Sequence, residues 1–273
     1  MAIARDRFWL FGARAHQDDR FLGKSEEERF TVWSRITPAE GAFMLDVPNM
    51  IMINCDGVPV PFSDDARGYA ESFVRMDSVL WGSTGSAGFR VGNEEQFICR
   101  LAELYPNIKG AFMDDFFGKF KNNRDAASEA GAMLRGIRNE LDKACRPMEL
   151  YVVWYASQFD TVALPLFDYI DGITLWTWNY KELPMLPERY ARIEELFPKH
   201  KKLLGVYMYA FPEGIPVPDD MMELQCEFGL SMMKQGRLDG MIFEANTVMG
   251  VGLPSEKWLR EWIGRVKYDE VPG

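Results

Sequence analysis

The chain has 273 residues, 47% of them apolar, and a formal net charge of −10 at pH 7. An acidic chain without a basic run has little with which to neutralise phosphate groups, so the composition argues against a nucleic-acid partner. No apolar stretch is long enough to span a membrane, and we expect no membrane contact. Since about 250 residues is typical of one (β/α)8 barrel, the length predicts a single domain over residues 1–273.

The cysteines indicate the compartment. Cys55, Cys99, Cys145 and Cys226 are far apart in the sequence and form no CxxC motif. We expect four buried thiols that are not joined in disulfides, which favours a reducing compartment. Because no long apolar stretch precedes the polar region 12–20, the chain as given is expected to be soluble and cytoplasmic, unless a signal peptide has been removed.

Eight short apolar segments recur along the chain, and a helical segment follows each of them. The segments are apolar throughout rather than alternating, as in parallel strands that are buried on both faces. This pattern predicts an α/β fold, a single (β/α)8 TIM barrel, and the lack of a GxGxxG motif after the first segment argues against a doubly wound open sheet. The predicted strands cover residues 8–13, 50–54, 78–82, 110–114, 150–155, 172–176, 203–209 and 240–243.

Two of the predicted helices have recognisable first turns. Thr37 and Glu40 form the pattern of a capping box, with Pro38 at the first helical position. Asn93 with Gln96 predicts a second capped helix, which ends before Pro106. Good helix formers predict further helices over residues 126–143, 187–196, 220–234 and 255–265, and shorter ones over 66–75 and 163–169.

The fourth predicted strand ends in two adjacent carboxylates, Asp114 and Asp115. In a TIM barrel the carboxyl ends of the strands carry the catalytic groups. Side chains alternate along a strand, so Asp114 shares a face with Phe112, and we favour Asp114 as the residue that faces the substrate. Asp115 is then either a neighbour that raises the pKa of Asp114 by charge repulsion or itself the catalytic group.

The other strand ends supply carboxylates, aromatic rings and amides. Glu244, after strand eight, is the predicted partner of the strand-four aspartate, although it can instead pair with Arg14. Aromatic rings pack on the C–H faces of sugars, and carboxylates and amides bond to sugar hydroxyls, so this set favours a carbohydrate substrate. Trp176 and Trp178 can serve either as sugar platforms or as core filler. The predicted substrate-binding residues are Arg14, His16, Asp56, Tyr155, Trp176, Trp178, Asn179, Tyr207, Tyr209 and Asn246.

The strand-four sequence, an apolar run from Gly110 into Asp114, Asp115 and Phe116, resembles that of TIM-barrel glycoside hydrolases and of uncharacterised bacterial glycoside-hydrolase-like families. It is also similar to the chitinase-type signature, but Phe116 stands where that signature has its catalytic Glu, so the substrate-assisted chitinase mechanism is not expected. The Asn-Glu pair that many retaining barrels place after strand four is also missing. Residues 176–178, 205–209 and 240–243 resemble bacterial proteins of the same barrel type. The resemblance implies the barrel over the whole chain and, by analogy, glycoside hydrolysis.

We therefore predict a glycoside hydrolase that cleaves a glycosidic bond of an oligo- or polysaccharide, without a cofactor, through Glu244 and Asp114 or Asp115. One alternative is a metal-assisted lyase, isomerase or hydrolase, in which His16 joins these carboxylates as a ligand. Another is a noncatalytic carbohydrate-binding barrel. A Schiff-base aldolase is disfavoured because Lys181 is the only lysine near a strand end. The sugar, the linkage and the oligomeric state stay open.

Overall fold

A computed structural model describes residues 2–15, 34–55, 57–120, 126–158 and 164–273. Eight strands close into one parallel barrel in the order β8-β1-β2-β3-β4-β5-β6-β7. The predicted (β/α)8 barrel is confirmed, and each predicted strand lies within two residues of an observed one. The strands are β1 (Phe8–Gly12), β2 (Asn49–Met52), β3 (Ser78–Thr84), β4 (Ile108–Met113), β5 (Glu149–Tyr155), β6 (Gly172–Trp176), β7 (Lys201–Tyr207) and β8 (Gly240–Glu244).

Helices connect the strands. They are α1 (Pro38–Leu45), α2 (Asp64–Ser72), α3 (Glu94–Leu104), α4 (Ala126–Leu141), α5 (Leu186–Leu196), α6 (Asp219–Lys234) and α7 (Pro254–Val266). The short helix predicted over 163–169 is a 3-10 helix, Leu164–Tyr169. A segment of six residues with Pro165 near its start is too short for a stable α-helix, and 3-10 geometry is common in such short pieces. Within the described ranges, no helix is long and apolar enough to cross a membrane.

The two predicted helix caps have different outcomes. The Thr37 capping box is confirmed: Thr37 N–H donates to Glu40 Oε2 at 2.8 Å, and Glu40 N–H donates to Thr37 Oγ1 at 3.4 Å. Asn93 is the N-cap residue of α3, as predicted, but its side chain makes no capping hydrogen bond. The carboxylate of Glu94 instead accepts the backbone N–H groups of Val91 and Gly92, which secures the loop before α3 rather than the first turn itself.

The chain divides into two compact units. The first unit comprises Met1–Asn49 and Leu175–Gly273, and the second comprises Met50–Thr174. In the first unit, Phe8 of β1 and Phe243 of β8 pack on each other, 5.3 Å between ring centroids, and on Trp262 of α7. Phe11, on the opposite face of β1, lies 5.5 Å from Trp176. Since side chains alternate along a strand, Phe11 and its partners in register line the interior side of the sheet.

The second unit follows the same alternation. Trp81 of β3 packs edge-on against Phe97 of α3 at 5.6 Å, which puts Trp81 on the helix side and its neighbour Gly82 on the interior side. Gly82 pairs in register with Phe112 of β4, and Phe112 pairs with Tyr151 of β5. These three residues therefore share the interior face of the sheet.

None of the four cysteines forms a disulfide. Cys55 and Cys226 are buried, as expected, but Cys99 is half-buried and Cys145 is exposed. The prediction of four buried thiols is therefore wrong for two of them. Cys145 lies in the turn after α4 rather than inside a helix, which explains its exposure. A reducing compartment stays a prediction.

The packing of the Trp176 ring on Gly205 of β7 can be tested by substitution. A Cβ atom at Gly205 would overlap the indole ring of Trp176. We expect Gly205→Ala to lower the free energy of unfolding by about 1–3 kcal/mol through overpacking. Gly264→Ala in α7 is the matched control, because no described atom lies within 4 Å of its Cβ position and alanine stabilises a helix by roughly 0.5–1 kcal/mol. Urea denaturation measures both variants, and a Gly205→Ala protein as stable as the wild type would contradict this packing.

Candidate active site

Glu244 is the last residue of β8 and lies on its interior face. It pairs in register with Phe11 of β1 on one side and with Tyr207 of β7 on the other. The rings of both partners pack against Trp176, with centroids 5.5 and 5.1 Å from it. Because residues in register on parallel strands point to the same face, the half-buried carboxyl group of Glu244 extends from the interior face at the carboxyl end of the strand.

An aromatic platform, made of Trp178, Phe211, Tyr207 and Tyr209, follows β6 and β7 in the first unit. The rings of Trp178 and Phe211 are stacked, with centroids 5.7 Å apart and planes within 5°. Tyr207 contacts the Trp178 ring by its edge, and Tyr209 contacts Phe211 in the same way. Trp178 is 49% exposed although its ring is fixed on these neighbours. A fixed ring with one open face suits the C–H face of a sugar.

The tyrosines of the aromatic platform also carry hydroxyl groups. Tyr209 is buried, and this burial raises the pKa of its phenol above the ordinary value. The phenol therefore stays protonated at neutral pH and keeps its O–H as a hydrogen-bond donor. Tyr209 begins a short antiparallel pair, Tyr209–Ala210 with Ile215–Pro216, which shapes the loop after β7.

Three further residues that were predicted to bind substrate pack against, or form hydrogen bonds with, other parts of the protein. Trp176 is 2% exposed and its ring covers Gly205, so it fills the interior of the first unit. The side chain of Asn179 accepts the backbone N–H of Lys181 and caps the 3-10 helix Tyr180–Met185. Asn246 is fully buried, and its amide bonds to the backbone N–H and C=O of Ala13, both at 2.9 Å, and to the C=O of Ile36. Its amide thus links backbone segments, which supports a structural role instead of the predicted substrate contact.

Asp114 directly follows β4 and is 7% exposed. Two hydrogen bonds hold its backbone against Thr84 at the end of β3. The N–H of Asp114 donates to the Thr84 carbonyl at 3.2 Å, and Thr84 Oγ1 donates to the Asp114 carbonyl at 2.6 Å. By alternation its side chain shares the interior face with Phe112. Asp114 thus stands on a backbone that the end of β3 fixes.

Asp115 has a different environment. Its backbone is left-handed, with φ of 47°, a conformation that Asp tolerates better than most residues. Its carboxylate Oδ2 accepts the backbone N–H of Ala87 at 3.0 Å, and its carbonyl accepts the N–H of Gly118 at 3.0 Å. The side chain therefore anchors the loop after β3. The Asp115 carboxylate is therefore engaged with the backbone of this loop.

A buried ion network that the sequence analysis missed secures the same loop. Arg90 forms a bidentate pair with Glu95, at 2.9 and 2.6 Å, and lies 3.6 Å from Glu94. The hydroxyl group of Ser83 in β3 donates a hydrogen bond to Glu95 and accepts one from Arg90. The side chains of both glutamates are at most 3% exposed, and the Arg90 side chain is 14% exposed. Spacings of four and five residues between Arg90 and the two glutamates were the only sequence signal for it.

The remaining predicted residues lie elsewhere. Tyr155, the half-buried last residue of β5, shares a face with Tyr151, and its backbone N–H donates to Gln158 Oε1 at 3.1 Å. Arg14, after β1, is exposed. His16 and Asp56 lie outside the described residues. Among the residues that the structure does describe, no three His, Cys, Asp or Glu side chains form a group that could hold a metal ion.

Lys181 has a protonated amine. Its Nζ lies 2.9 Å from Glu213 Oε1, and this hydrogen bond raises the pKa of Lys181. Schiff-base formation needs a neutral amine, which depends on a lowered pKa. The surroundings of Lys181 therefore disfavour an aldolase that uses it.

The anchoring role of Asp115 can be tested with two substitutions at one position. Asp115→Ala removes the acceptor for Ala87 N–H and places alanine at a left-handed φ, so we expect a loss of about 2–3 kcal/mol in the free energy of unfolding. Asp115→Asn keeps an acceptor and tolerates the backbone, so we expect a loss below about 1 kcal/mol. Urea denaturation of the two variants gives the comparison, and equal losses would show that Asp115 anchors nothing.

No protein-family model and no curated protein matches the chain. Solved structures do. An endo-α-mannosidase from Bacteroides thetaiotaomicron superposes with a TM-score of 0.60 at 9% identity, over 96% of this chain and 97% of that one. An α-L-arabinofuranosidase from Thermotoga maritima gives 0.57 at 11%, over 94% and 70%. A xylanase-α-amylase inhibitor protein in complex with trehalose gives 0.55 at 10%, over 94% and 98%. At these identities the similarity shows the shared fold, the (β/α)8 barrel.

Proposed function

We propose that this chain is a single catalytic domain that hydrolyses a glycosidic bond of an oligo- or polysaccharide. The observation that carries the proposal is the position of Glu244 in the first unit. It shares the interior face with Tyr207, its partner in register, and the ring of Tyr207 touches the exposed indole of Trp178. A carboxyl group next to a fixed aromatic surface is the combination that glycosidases use to hold a sugar and cleave its bond.

Asp114 is the proposed second carboxyl group. Glycosidic cleavage uses one carboxyl group to protonate the leaving oxygen and another to attack the anomeric carbon or to activate water. Asp114 directly follows β4 and Glu244 ends β8, and TIM-barrel enzymes take their catalytic groups from the carboxyl ends of several strands. Separations of about 5 Å would give retention and of about 6.5–9.5 Å inversion. The proposed role of Asp115 is to hold the loop after β3.

The comparisons add support of a general kind. An endo-α-mannosidase and an α-L-arabinofuranosidase share the fold over most of this chain. The exposed ring of Trp178 suits the C–H face of a sugar, and the phenol of Tyr209, which stays protonated, suits a sugar oxygen.

A noncatalytic carbohydrate-binding barrel is the second candidate. The stacked rings of the aromatic platform suit a sugar ligand whether or not catalysis follows, and the inhibitor protein with trehalose shares the same fold. Sugar binding without turnover would distinguish this candidate from a hydrolase.

The central test replaces each carboxyl group by its amide. We expect Asp114→Asn and Glu244→Gln each to lower kcat/KM by about 100- to 10,000-fold on a panel of aryl glycosides and oligosaccharides, because each removes a proton-transfer or nucleophilic group. Asp115→Asn is the matched control: it is the same chemical change one residue away, and we expect activity within about tenfold of wild type, since its backbone hydrogen bond is retained.

The other outcomes of this test separate the alternatives. Turnover that survives both amide substitutions would contradict the proposed pair. Sugar-dependent thermal stabilisation with no cleaved substrate would favour the binding barrel. Loss of turnover on adding a chelator would favour metal-assisted chemistry.

A further inference from the structure

Asn54, two residues beyond β2, has a buried amide whose oxygen lacks a partner. The residue is 2% exposed, and its Nδ2 lies 3.5 Å from the carbonyl oxygen of Gly82. Only the NH2 group can face that carbonyl, which fixes the orientation of the amide. Its Oδ1 is then left without a hydrogen-bond partner among the described residues. Such a buried acceptor is unfavourable for stability, and most are paired in native proteins.

Asn49, the first residue of β2, shows what a purely structural asparagine does here. It is 3% exposed, and its Nδ2 donates to the carbonyl oxygens of Asp6 and Phe8, both at 2.9 Å. Its amide therefore joins two stretches of backbone in the first unit. Asn54 makes one long hydrogen bond and keeps its acceptor open, so its structural contribution is much smaller.

The surroundings of Asn54 belong to the candidate site. Gly85, at the start of the loop after β3, lies so close that a Cβ there would overlap the backbone carbonyl of Asn54. On the far side of β3, Thr84 holds the backbone of Asp114 through two hydrogen bonds. Asn54 and Asp114 thus flank the carboxyl end of β3. Adjacent strands are about 4.8 Å apart, so the two backbones are roughly 10 Å apart, a gap that a sugar ring with its hydroxyl groups can span.

We infer that Asn54 is a further substrate-binding residue, and that its Oδ1 accepts a hydrogen bond from a hydroxyl or amide N–H of the sugar bound beside Asp114. This inference rests on the proposed carbohydrate substrate. The oxygen is shielded from solvent, so a ligand reaches it only when a neighbouring group shifts. A substrate with a donor at this position satisfies the acceptor, whereas a deoxy analogue leaves it unpaired, which makes Asn54 a determinant of specificity.

The test replaces the amide by an apolar group of the same shape. Asn54→Leu removes the unpaired acceptor, and Asn49→Leu, the matched control at the start of β2, removes two good hydrogen bonds. We expect the Tm of Asn54→Leu to equal or exceed that of wild type, and the Tm of Asn49→Leu to fall by several degrees. On the glycoside that wild type cleaves best, we expect kcat/KM of Asn54→Leu to fall about 10- to 100-fold and that of Asn49→Leu to be retained.

A second readout does not require turnover. Thermal shifts with glucose, galactose, mannose, arabinose and fucose, each at saturating concentration, measure binding to wild type and to Asn54→Leu. We expect at least one sugar to stabilise the wild type and to have little effect on the variant. That result without any hydrolysis would keep this inference and reject the proposed hydrolase. Hydrolysis that is equal in wild type and Asn54→Leu would keep the hydrolase and reject the inference.

Three further results overturn the inference. The first is a Tm of Asn54→Leu as low as that of Asn49→Leu, which would show that Asn54 serves the fold. The second is the failure of every sugar on the panel to stabilise the wild type, and the third is equal stabilisation of both proteins.

Discussion

The pairing of β8 between β7 and β1 fixes the direction of the Glu244 side chain, on which the proposed chemistry depends. Parallel pairing in register puts Glu244 beside Tyr207 and Phe11, on the face opposite to the one that packs against α7. A shift of one residue in register would turn the carboxyl group toward the helices and the buried Phe243 toward the interior. On the other side of β7, only glycine at position 205 leaves room for the indole ring of Trp176.

The carboxylates near the strand ends fall into two groups: some secure a loop, and others lie on the interior face of a strand. Glu95 is held in a buried ion pair with Arg90, and Asp115 accepts a backbone N–H group; both secure the loop after β3. Asp114 and Glu244 stand on the interior faces of their strands. Catalysis requires carboxyl groups whose position is fixed by others but whose oxygens can reach the substrate. The supporting residues are therefore as important to the proposed chemistry as the two groups that would perform it.

Local patterns predicted much of the fold. The strands were recognisable because they are apolar throughout, and Thr37 with Glu40 specifies a helix start through contacts only three residues apart. Other features of the site depend on contacts that spacing does not reveal. The amide of Asn246 is bonded to Ala13, more than 230 residues away in sequence, and the left-handed backbone of Asp115 depends on the loop that it anchors. Asn54 was visible as a strand-end amide, but its unpaired oxygen depends on how closely Gly82 and Gly85 approach.

The fate of water oxygen distinguishes hydrolysis of a glycosidic bond from the alternatives. Wild-type protein is incubated with a mixed panel of oligosaccharides in water enriched in oxygen-18, and the products are examined by mass spectrometry. A glycoside hydrolase places one heavy oxygen on the anomeric carbon of each newly formed reducing end, and we expect this label with wild type and almost none with Asp114→Asn. Unlabelled products that are lighter by one water would indicate a lyase, and the absence of any product would contradict a catalytic role.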